Sequence, residues 1–453
     1  MKEFDLVVIG AGSGLNVAYD ASNSGLKVAI IEKGEMGGTC LNRGCIPSKM
    51  LIHHADVLRE IKRSKIFGID AKIKSIDFKS IIKNINKFVE EDSENIEKSY
   101  KNSVNPVLFK GSAEFIGLKT IKIGNETIKG KKILIAVGAR PSIPEIKGLN
   151  KVDYITSTEA LKLKKQPKTM TVLGGGYISA ELAHFYGEFG TKINIVQRSR
   201  VMLKKEDLEI AEKFTEIFKK KYNVYTEFST EEVFKKNGYF YVKIRNGNSV
   251  KTLKSDQLLV VTGIIPNNDI LDLGKTGVKV NNEGYILVNE YMETNVQGIY
   301  ALGDCVGNYF FKHSANLEAE YVLRNILNGN KHKVDYYAMP HAIFTDPQIA
   351  GVGYTEDELK EKKIGYLVGK YNYYDTGMGI AIKDNDGFVK LLVEKKTRKI
   401  LGCHIIGTEA STLIHEVIVA MKSGDGAIDN LINAVHIHPA LNEVVQRAAL
   451  MIE

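Results

Sequence analysis

A strand, a glycine-rich turn, a helix and a second strand follow one another twice in this 453-residue chain. In the first copy an apolar strand at residues 4–9 leads into the turn Gly10-Ala11-Gly12-Ser13-Gly14. A stretch with helical apolar periodicity then extends to residue 25, and a strand at residues 28–31 ends in Glu32. This succession predicts a βαβ unit and therefore a parallel α/β sheet.

The glycines of the first copy have the spacing of a dinucleotide site. Gly10 and Gly12 allow a tight turn and the approach of a pyrophosphate to the helix N-terminus. Glu32 follows Gly12 by 20 residues, where a carboxylate binds a ribose hydroxyl. The third glycine position holds Leu15, and Gly14 comes one place early. We therefore expect the helix and strand to pack slightly differently here.

The second copy begins with a strand at residues 170–173, continues through Gly174-Gly175-Gly176-Tyr177-Ile178-Ser179 and ends in a strand at 192–196. Two units predict two dinucleotides, or one cofactor and one cosubstrate. The position of Glu32 is taken in this copy by Gln197, and the cations Arg198, Arg200 and Lys204 follow it. Such cations suit a ribose 2′-phosphate, which favours NADP over NAD, although they could also be solvated at a strand end.

Two cysteines follow the first unit, in the run Cys40-Leu41-Asn42-Arg43-Gly44-Cys45. Residues five apart rise about 7.5 Å along a regular helix, too far for a disulfide. The backbone must therefore tighten, and Gly44 permits this. Arg43 would favour a thiolate, as would a helix N-terminus. We interpret the pair as a dithiol that cycles to a disulfide; the alternative is two cysteines packed as small hydrophobes.

Near the C-terminus, the run His436-Ile437-His438-Pro439-Ala440-Leu441-Asn442-Glu443 supplies a candidate acid–base pair. Pro439 fits the first turn of a helix, which would place His438 at the cap and Glu443 about one turn in. The carboxylate could then orient and charge the imidazole, as thiol chemistry requires. The alternative is an ordinary helix start with an acidic residue in its first turn.

The remaining chain predicts further elements. Apolar runs at 133–138 and 258–263 read as buried strands that end in glycine shortly before a proline, as expected where the chain crosses between domains. A strand at 299–304 ends in Asp304, which could bind a cofactor hydroxyl or cap a helix. Beyond residue 340, strands at 388–394 and 399–406 and a helix at 412–422 indicate a separate α+β domain. Residues 79–105 read as a solvated helical insert.

Composition narrows the class of protein. The 62 basic and 54 acidic residues are interspersed, so the net charge of +8 describes a solvated surface and no nucleic-acid partner is expected. Four cysteines are too few for a secreted disulfide scaffold. The N-terminus lacks a signal-peptide pattern, and no apolar run approaches the length of a membrane span. We therefore expect a cytoplasmic protein that has no membrane association.

Together these motifs resemble the FAD-dependent pyridine nucleotide-disulfide oxidoreductases over essentially the whole chain, from Gly10 to Glu443. Residues 37–49 are similar to the redox-active disulfide signature, 136–141 to the first strand leaving the FAD domain, and 303–304 to the second FAD fingerprint. The resemblance implies an FAD domain split around an NAD(P) domain, followed by an α+β dimerisation domain. The expected division is 1–145 (FAD, first part), 146–265 (NAD(P)), 266–337 (FAD, second part) and 338–453 (dimerisation).

The resemblance also implies a role for each motif. Cys45 would contact the flavin and Cys40 would exchange with substrate. His438, oriented by Glu443, would serve the thiols of the other subunit of a homodimer. Lys49 and Glu181 would pair near the flavin, and Tyr177 would gate the nicotinamide. The predicted cofactor-binding positions are Gly10, Gly12, Gly14, Glu32, Gly38, Thr39, Lys49, Ala113, Ala136, Gly138, Gly174, Gly176, Tyr177, Ile178, Arg198, Lys204, Gly263 and Asp304, with FAD and NADPH (or NADH) as cofactors and no metal.

Two members of the family remain as guides to which substrate this chain uses. The lack of a cysteine after Cys403 excludes the C-terminal thiol pairs of mercuric and high-molecular-weight thioredoxin reductases. Residues 312–316 and 437–445 look like mycothione reductase, a reductase of a small disulfide involved in redox homeostasis. Residues 40–49 look at least as much like dihydrolipoamide dehydrogenase, which docks onto 2-oxoacid dehydrogenase or glycine cleavage complexes. Ile264 stands where the family usually has arginine.

Overall fold

The first sheet has seven strands and contains the first βαβ unit. The computed structural model describes residues 1–329 and 331–452. Six strands lie in the order β3-β2-β1-β6-β5-β4, and the first four of these are parallel. The elements of this part are β1 (Lys2–Ile9), α1 (Gly14–Asn23), β2 (Val28–Glu32), α2 (Gly38–Arg43), α3 (Cys45–Arg63), α4 (Phe78–Lys101), β3 (Val107–Lys110), β4 (Ala113–Gly117), β5 (Thr120–Ile123) and β6 (Glu126–Ile135).

The second βαβ unit forms a separate parallel sheet in the order β10-β9-β8-β14, accompanied by an antiparallel sheet β11-β12-β13. Its elements are β7 (Ala139–Pro141), α5 (Ser157–Ala160), β8 (Thr169–Leu173), α6 (Tyr177–Glu188), β9 (Lys192–Gln197), α7 (Leu208–Lys221), β10 (Asn223–Thr226), β11 (Ser229–Lys236), β12 (Tyr239–Asn246), β13 (Ser249–Ser255) and β14 (Gln257–Val260).

The chain then returns to the first sheet. Strand β15 (Ile264–Pro266) pairs antiparallel with β7, so the outgoing and returning segments lie side by side. Strand β16 (Ile299–Ala301) adds parallel to β6, and α8 (Lys312–Asn328) packs against α1. The first domain is therefore split in sequence around the second, as predicted.

The last part is a five-stranded antiparallel sheet in the order β17-β18-β21-β20-β19, covered by helices. Its elements are β17 (Pro340–Ile343), β18 (Gln348–Gly353), α9 (Glu356–Glu361), β19 (Tyr366–Asn372), α10 (Gly377–Ile382), β20 (Phe388–Glu394), β21 (Ile400–Gly407), α11 (Ala410–Lys422), α12 (Asp429–Ile432) and α13 (Glu443–Leu450). The predicted α/β class, with two Rossmann-like units and a third α+β layer, is confirmed.

Two local predictions were wrong, and a third was correct only in part. The last helix begins at Glu443, with Asn442 as its N-cap, so His438 precedes it in a loop. A proline before a helix and one in its first turn look alike in sequence. Asp304 lies in a 3₁₀ turn, Gly303–Cys305, and does not cap a helix. The insert is only partly solvated, because α4 buries one face that includes Phe78 and Ile82.

Among the residues that the structure describes, no helix combines the length and apolarity needed to cross a membrane.

Candidate redox and cofactor sites

A break between two helices brings the two cysteines together. Helix α2 ends at Arg43 and α3 begins at Cys45, so Cys40 and Cys45 lie on different helices. A Cβ atom added to Gly44 would lie 2.9 Å from the carbonyl oxygen of Thr39, which is closer than real Cβ contacts. Glycine thus permits the close turn predicted from the spacing. Both cysteines are free, partly buried thiols, and each side chain is close enough to influence the ionisation of the other.

The pair is electrostatically asymmetric. The hydrogen bond from Cys45 is the largest influence on the Cys40 thiol and, with Lys312 and Lys49 nearby, lowers its pKa to about 7 in spite of partial burial. The same hydrogen bond, together with burial, raises the pKa of Cys45. The dithiol therefore ionises first at Cys40, while Cys45 donates to the resulting thiolate.

The cation beside Cys40 differs from the one expected. Arg43 pairs instead with Glu35, at 3.3 Å between nitrogen and oxygen. Lys312, the first residue of α8, supplies the charge from the far end of the domain. It is largely desolvated, which lowers its own pKa, and its ammonium group donates to Ser13 Oγ at 2.8 Å. Only the tertiary fold brings this lysine near the thiols, so sequence spacing gave no signal for it.

Lys49 and Glu181 form the predicted ion pair. The Lys49 Nζ atom lies 2.8 Å and 2.7 Å from the two carboxylate oxygens of Glu181. Lys49 follows Cys45 by one turn of α3, so both side chains lie on one face of that helix. The backbone N–H of Phe344 donates to Glu181 at 3.0 Å and fixes the carboxylate from the third domain. The pair thus joins the thiol-bearing helix to α6.

The glycine turn of the first domain leaves no space for side chains. A Cβ on Gly10, at φ +106°, would lie 2.3 Å from the Ala136 carbonyl oxygen, and one on Gly38 would lie 2.7 Å from the Gly12 Cα. A Cβ on Gly14 would lie 2.8 Å from the side chain of Val8. Gly14 therefore provides the close helix–strand packing that the third glycine of such motifs normally provides.

The carboxylate at the end of β2 is held by the backbone. Glu32 accepts hydrogen bonds from the N–H groups of Ala11 and Gly34, both at 2.7 Å. These bonds leave lone pairs on the carboxylate for a further donor. Glu32 therefore lies against the glycine turn, where a ribose hydroxyl of a bound dinucleotide could reach it.

Two desolvated charged groups in the first domain, Asp304 and Lys312, suit FAD. Burial raises the pKa of Asp304 to about 6, and its carboxylate has no hydrogen-bond partner within residues 1–329 and 331–452. Lys312 likewise has no acidic partner in that part of the chain, only the Ser13 hydroxyl. Uncompensated buried charges are unfavourable, so a ligand that offers hydroxyl donors and a diphosphate fits both groups. The predicted positions Ala136 and Gly138 directly follow β6, Thr39 is exposed on α2, and Ala113 begins β4.

The second glycine turn is built in the same way. Gly174 has φ +113°, and its added Cβ would lie 2.4 Å from the Val261 carbonyl oxygen, whereas one on Gly176 would meet nothing within 4 Å. Ile178 is 42% exposed at the start of α6. Gly263, with φ +148°, directly precedes β15, where the chain leaves this domain. The N-terminus of α6 is thus open to a diphosphate.

The segment after β9 offers cations and no carboxylate acceptor. The Gln197 amide donates to Ser199 Oγ at 2.5 Å and to the Val201 carbonyl at 3.3 Å. Arg198 and Lys204 are exposed and form no ion pair within the described ranges. Arg200, by contrast, pairs with Glu212 at 2.6 Å. Two of the three predicted cations are therefore available to a 2′-phosphate.

The loop before α13 carries the predicted acid–base pair. His438 Nδ1 lies 2.9 Å from Glu443 Oε1, and the other oxygen of Glu443 accepts the Ala440 N–H at 3.2 Å. The His438 side chain is 76% exposed and contacts no thiol of its own chain. The nearby His436 ring pairs with Glu416 of α11, which fixes the loop. The structure thus brings His438 and Glu443 together, and not His438 and Cys40.

No group of three or more histidine, cysteine, aspartate or glutamate side chains is arranged for a metal ion in residues 1–329 and 331–452.

Comparison with known proteins identifies the class that this fold and site define. Residues 4–321 match the family model described as pyridine nucleotide-disulphide oxidoreductase, and residues 339–449 match the dimerisation domain of the same family. The chain therefore belongs to the pyridine nucleotide-disulphide oxidoreductases. It is a flavin-dependent enzyme of a family that uses FAD and NAD(P)H, and it carries the domain through which that family dimerises.

The chain is similar to several members of this family with different substrates. It is 34% identical over 461 residues to mycothione reductase from Mycobacterium tuberculosis, with 99% of each chain covered. It is 35% identical over 454 residues to dihydrolipoyl dehydrogenase from Geobacillus stearothermophilus, covering 99% of this chain and 96% of the relative. A solved structure, the Cu(II) complex of the HOCl-induced flavoprotein disulfide reductase RclA from Escherichia coli, superposes with a TM-score of 0.89 at 26% identity over the full length of both chains.

Proposed function

We propose that this chain reduces a small disulfide at the expense of NADPH, in the manner of mycothione reductase. The asymmetric thiol pair carries the proposal, because a Cys40 thiol with a pKa of about 7 is about half ionised at neutral pH, whereas an ordinary cysteine is mostly protonated there. A thiolate that still retains nucleophilicity is what disulfide exchange requires. We further propose the division of the chain at residues 145, 265 and 337.

The roles of the thiols follow from this asymmetry. The Cys40 thiolate attacks one sulfur of the substrate disulfide, forms a mixed disulfide and releases the other sulfur as a thiol. Cys45 then attacks Cys40, which closes the internal disulfide and expels the second substrate thiol. His438 of one subunit gives the leaving thiolate its proton across the dimer, and Glu443 holds the ring through Nδ1.

The internal disulfide must then be reduced again. Bound FAD supplies the transfer of two electrons from the nicotinamide to the thiol pair. Gly10, Gly12 and Gly38 would allow close approach of its diphosphate, and Glu32 and Asp304 would accept hydrogen bonds from its hydroxyl groups. The Lys49–Glu181 pair places a positive charge beside the face of α3 that carries Cys45.

The first prediction concerns the coenzyme. Arg198 and Lys204 are free to bind a 2′-phosphate, so NADPH should be preferred over NADH. A charge-assisted contact is worth roughly 1.5–3 kcal/mol, so Arg198→Glu should reduce this preference at least about tenfold in kcat/KM. The loss should fall mainly on NADPH. The neighbouring Arg200→Glu is the matched control, because Arg200 already pairs with Glu212. A wild-type preference for NADH would contradict the NADPH proposal.

The second prediction concerns pH. In the prereduced protein, alkylation of Cys40 by iodoacetamide should rise with pH around a midpoint near 7, whereas a free cysteine titrates near about 8.5. The lowered pKa means that the thiolate is stabilised, so reactivity persists to lower pH. Lys312→Met should move the midpoint upward, and Lys312→Arg should largely restore it. Peptide mass spectrometry reports the modified residue; first alkylation at Cys45 would contradict the assignment.

The second candidate function is dihydrolipoamide dehydrogenase, which uses the same groups in the reverse direction. The 35% identity to dihydrolipoyl dehydrogenase from Geobacillus stearothermophilus favours it as much as the similarity to mycothione reductase favours the first. Steady-state rates with lipoamide, glutathione disulfide and mycothiol disulfide, each with both coenzymes, separate the two. Fast NAD-dependent oxidation of dihydrolipoamide, with little activity on the other thiols, would select the second.

A further inference from the structure

A row of basic side chains crosses the five-stranded sheet of the dimerisation domain. Paired positions run from His341 on β17 through Gly351, His404 and Lys390 to Lys370 on β19. Directly paired residues of neighbouring strands share a face, so these side chains lie in one line. Gly351 is the one position in the row that has no side chain. A Cβ atom there would lie 2.5 Å from the His341 ring. The missing side chain therefore leaves space for the imidazole.

The row faces an acidic segment of the coenzyme-binding domain, residues 206–209. Lys390, with a side chain only 3% exposed, lies 2.9 Å from Asp207 and 3.4 Å from Glu209. Its third carboxylate partner is Glu356 at 2.7 Å. At the end of the row, His341 Nε2 lies 2.7 Å from Glu206 Oε2. The acidic segment thus forms ion pairs and a hydrogen bond between the coenzyme-binding domain and the dimerisation domain.

Glu206 is the member of this segment that reaches the coenzyme site. Its side chain is 1% exposed, and its second oxygen accepts a hydrogen bond from the Tyr177 hydroxyl. Burial opposes the charge, but His341 and the Tyr177 hydroxyl lower the pKa of the carboxyl below its ordinary value. The Tyr177 hydroxyl therefore donates to a buried, ionised carboxylate, which is a strong type of hydrogen bond.

Tyr177 lies between the proposed coenzyme-binding turn and Glu181 in the sequence. It is the first residue of α6, directly after the open glycine turn, and Glu181 follows one turn later on the same face. Its ring stacks on Phe311 at 6.0 Å and on His341 at 6.3 Å between centroids. The ring thus lies against Phe311 and His341 at the end of α6 that adjoins the coenzyme turn.

We propose that Glu206 is a positioning residue that holds the Tyr177 ring closed over the coenzyme site, with His341 of the dimerisation domain holding Glu206. The inference rests on the proposed coenzyme-binding role of the second glycine turn. The coenzyme binds only after the Tyr177–Glu206 hydrogen bond breaks, so its apparent dissociation constant is the intrinsic one divided by the fraction of molecules in which the ring is open. The Glu206–His341 contact links that fraction to the packing of the two domains.

Calorimetric titration of the oxidised holoenzyme with NADP⁺ tests the effect of the Tyr177–Glu206 hydrogen bond on coenzyme binding without turnover. Tyr177→Phe removes the donor and retains the ring, and Glu206→Gln removes the charge of the acceptor. Each should lower the dissociation constant by about threefold to tenfold, since a charged hydrogen bond becomes a neutral one or is lost. The double variant should bind no more tightly than the tighter single variant, because both changes break one contact. His341→Ala should act in the same direction, and His341→Gln, which retains a donor, should act less.

Asp207→Asn is the matched control, since it weakens the contact with Lys390 without touching Tyr177. It should lower the melting temperature and leave the NADP⁺ dissociation constant unchanged. The inference is overturned if Tyr177→Phe leaves NADP⁺ binding unchanged or weaker, if the two single effects add, or if Asp207→Asn changes binding as much as Glu206→Gln. Failure of wild-type protein to bind either coenzyme would instead overturn the proposed function.

Discussion

Cys45→Ser should abolish disulfide turnover, with a fall of at least about 10³-fold, while oxidation of NADPH by an artificial acceptor such as ferricyanide continues. The variant keeps Cys40, so a mixed disulfide can form, but no second thiol remains to resolve it. Loss of a group that forms a covalent intermediate has effects of this order or larger. Steady-state assays with the disulfide and with ferricyanide measure the two half-reactions separately.

Cys403→Ala is the control for this experiment. Cys403 is fully buried, and burial raises the pKa of its thiol, so it takes no part in exchange. Its removal should change disulfide turnover by less than about twofold, as expected for a small change remote from the site. If Cys45→Ser retained normal disulfide reduction, or if both half-reactions disappeared together, Cys45 would not be the resolving thiol.

Much of the fold could be predicted because its signals are local. Each βαβ unit is encoded within about 30 consecutive residues by apolar periodicity and by glycines that tolerate a tight turn. Gly10 and Gly174 both have positive φ, and a side chain at either position would collide with a carbonyl oxygen. The glycines in the sequence pattern are therefore the residues that the packing requires.

The charges around the thiols could not be predicted in this way. Arg43 is two positions from Cys45 in sequence but pairs with Glu35, whereas Lys312 reaches the thiol pair from α8. Glu206 and His341 are 135 positions apart, and their contact depends on how two domains pack. Such contacts have no sequence period, so only the folded chain shows them. The prediction of where α13 begins was wrong for a different reason. Pro439 fits a loop as well as the first turn of a helix, so the sequence alone does not separate the two.

His438→Gln should lower disulfide turnover by about 10²–10⁴, the usual range for a lost acid–base group, and leave ferricyanide reduction intact. Glutamine keeps a polar side chain near Glu443 but cannot transfer the proton. His332→Gln is the control, because the hydrogen bonds of His332 within residues 1–329 and 331–452 are made by its backbone, to Asn325. An equal loss in both half-reactions would make His438 a structural residue.

Mixed dimers test whether His438 acts on the thiols of the partner subunit. A heterodimer of one Cys45→Ser chain and one His438→Gln chain has one complete site if the base is supplied by the partner, and none if it is supplied in the same chain. Statistical reassortment makes about half of the dimers mixed, so activity should recover to about one quarter of wild type from two nearly inactive parents. Recovery after unfolding or subunit exchange is measured against each parent alone. An inactive mixture, with heterodimers verified by mass spectrometry, would show that the exposed His438 side chain does not act across the dimer.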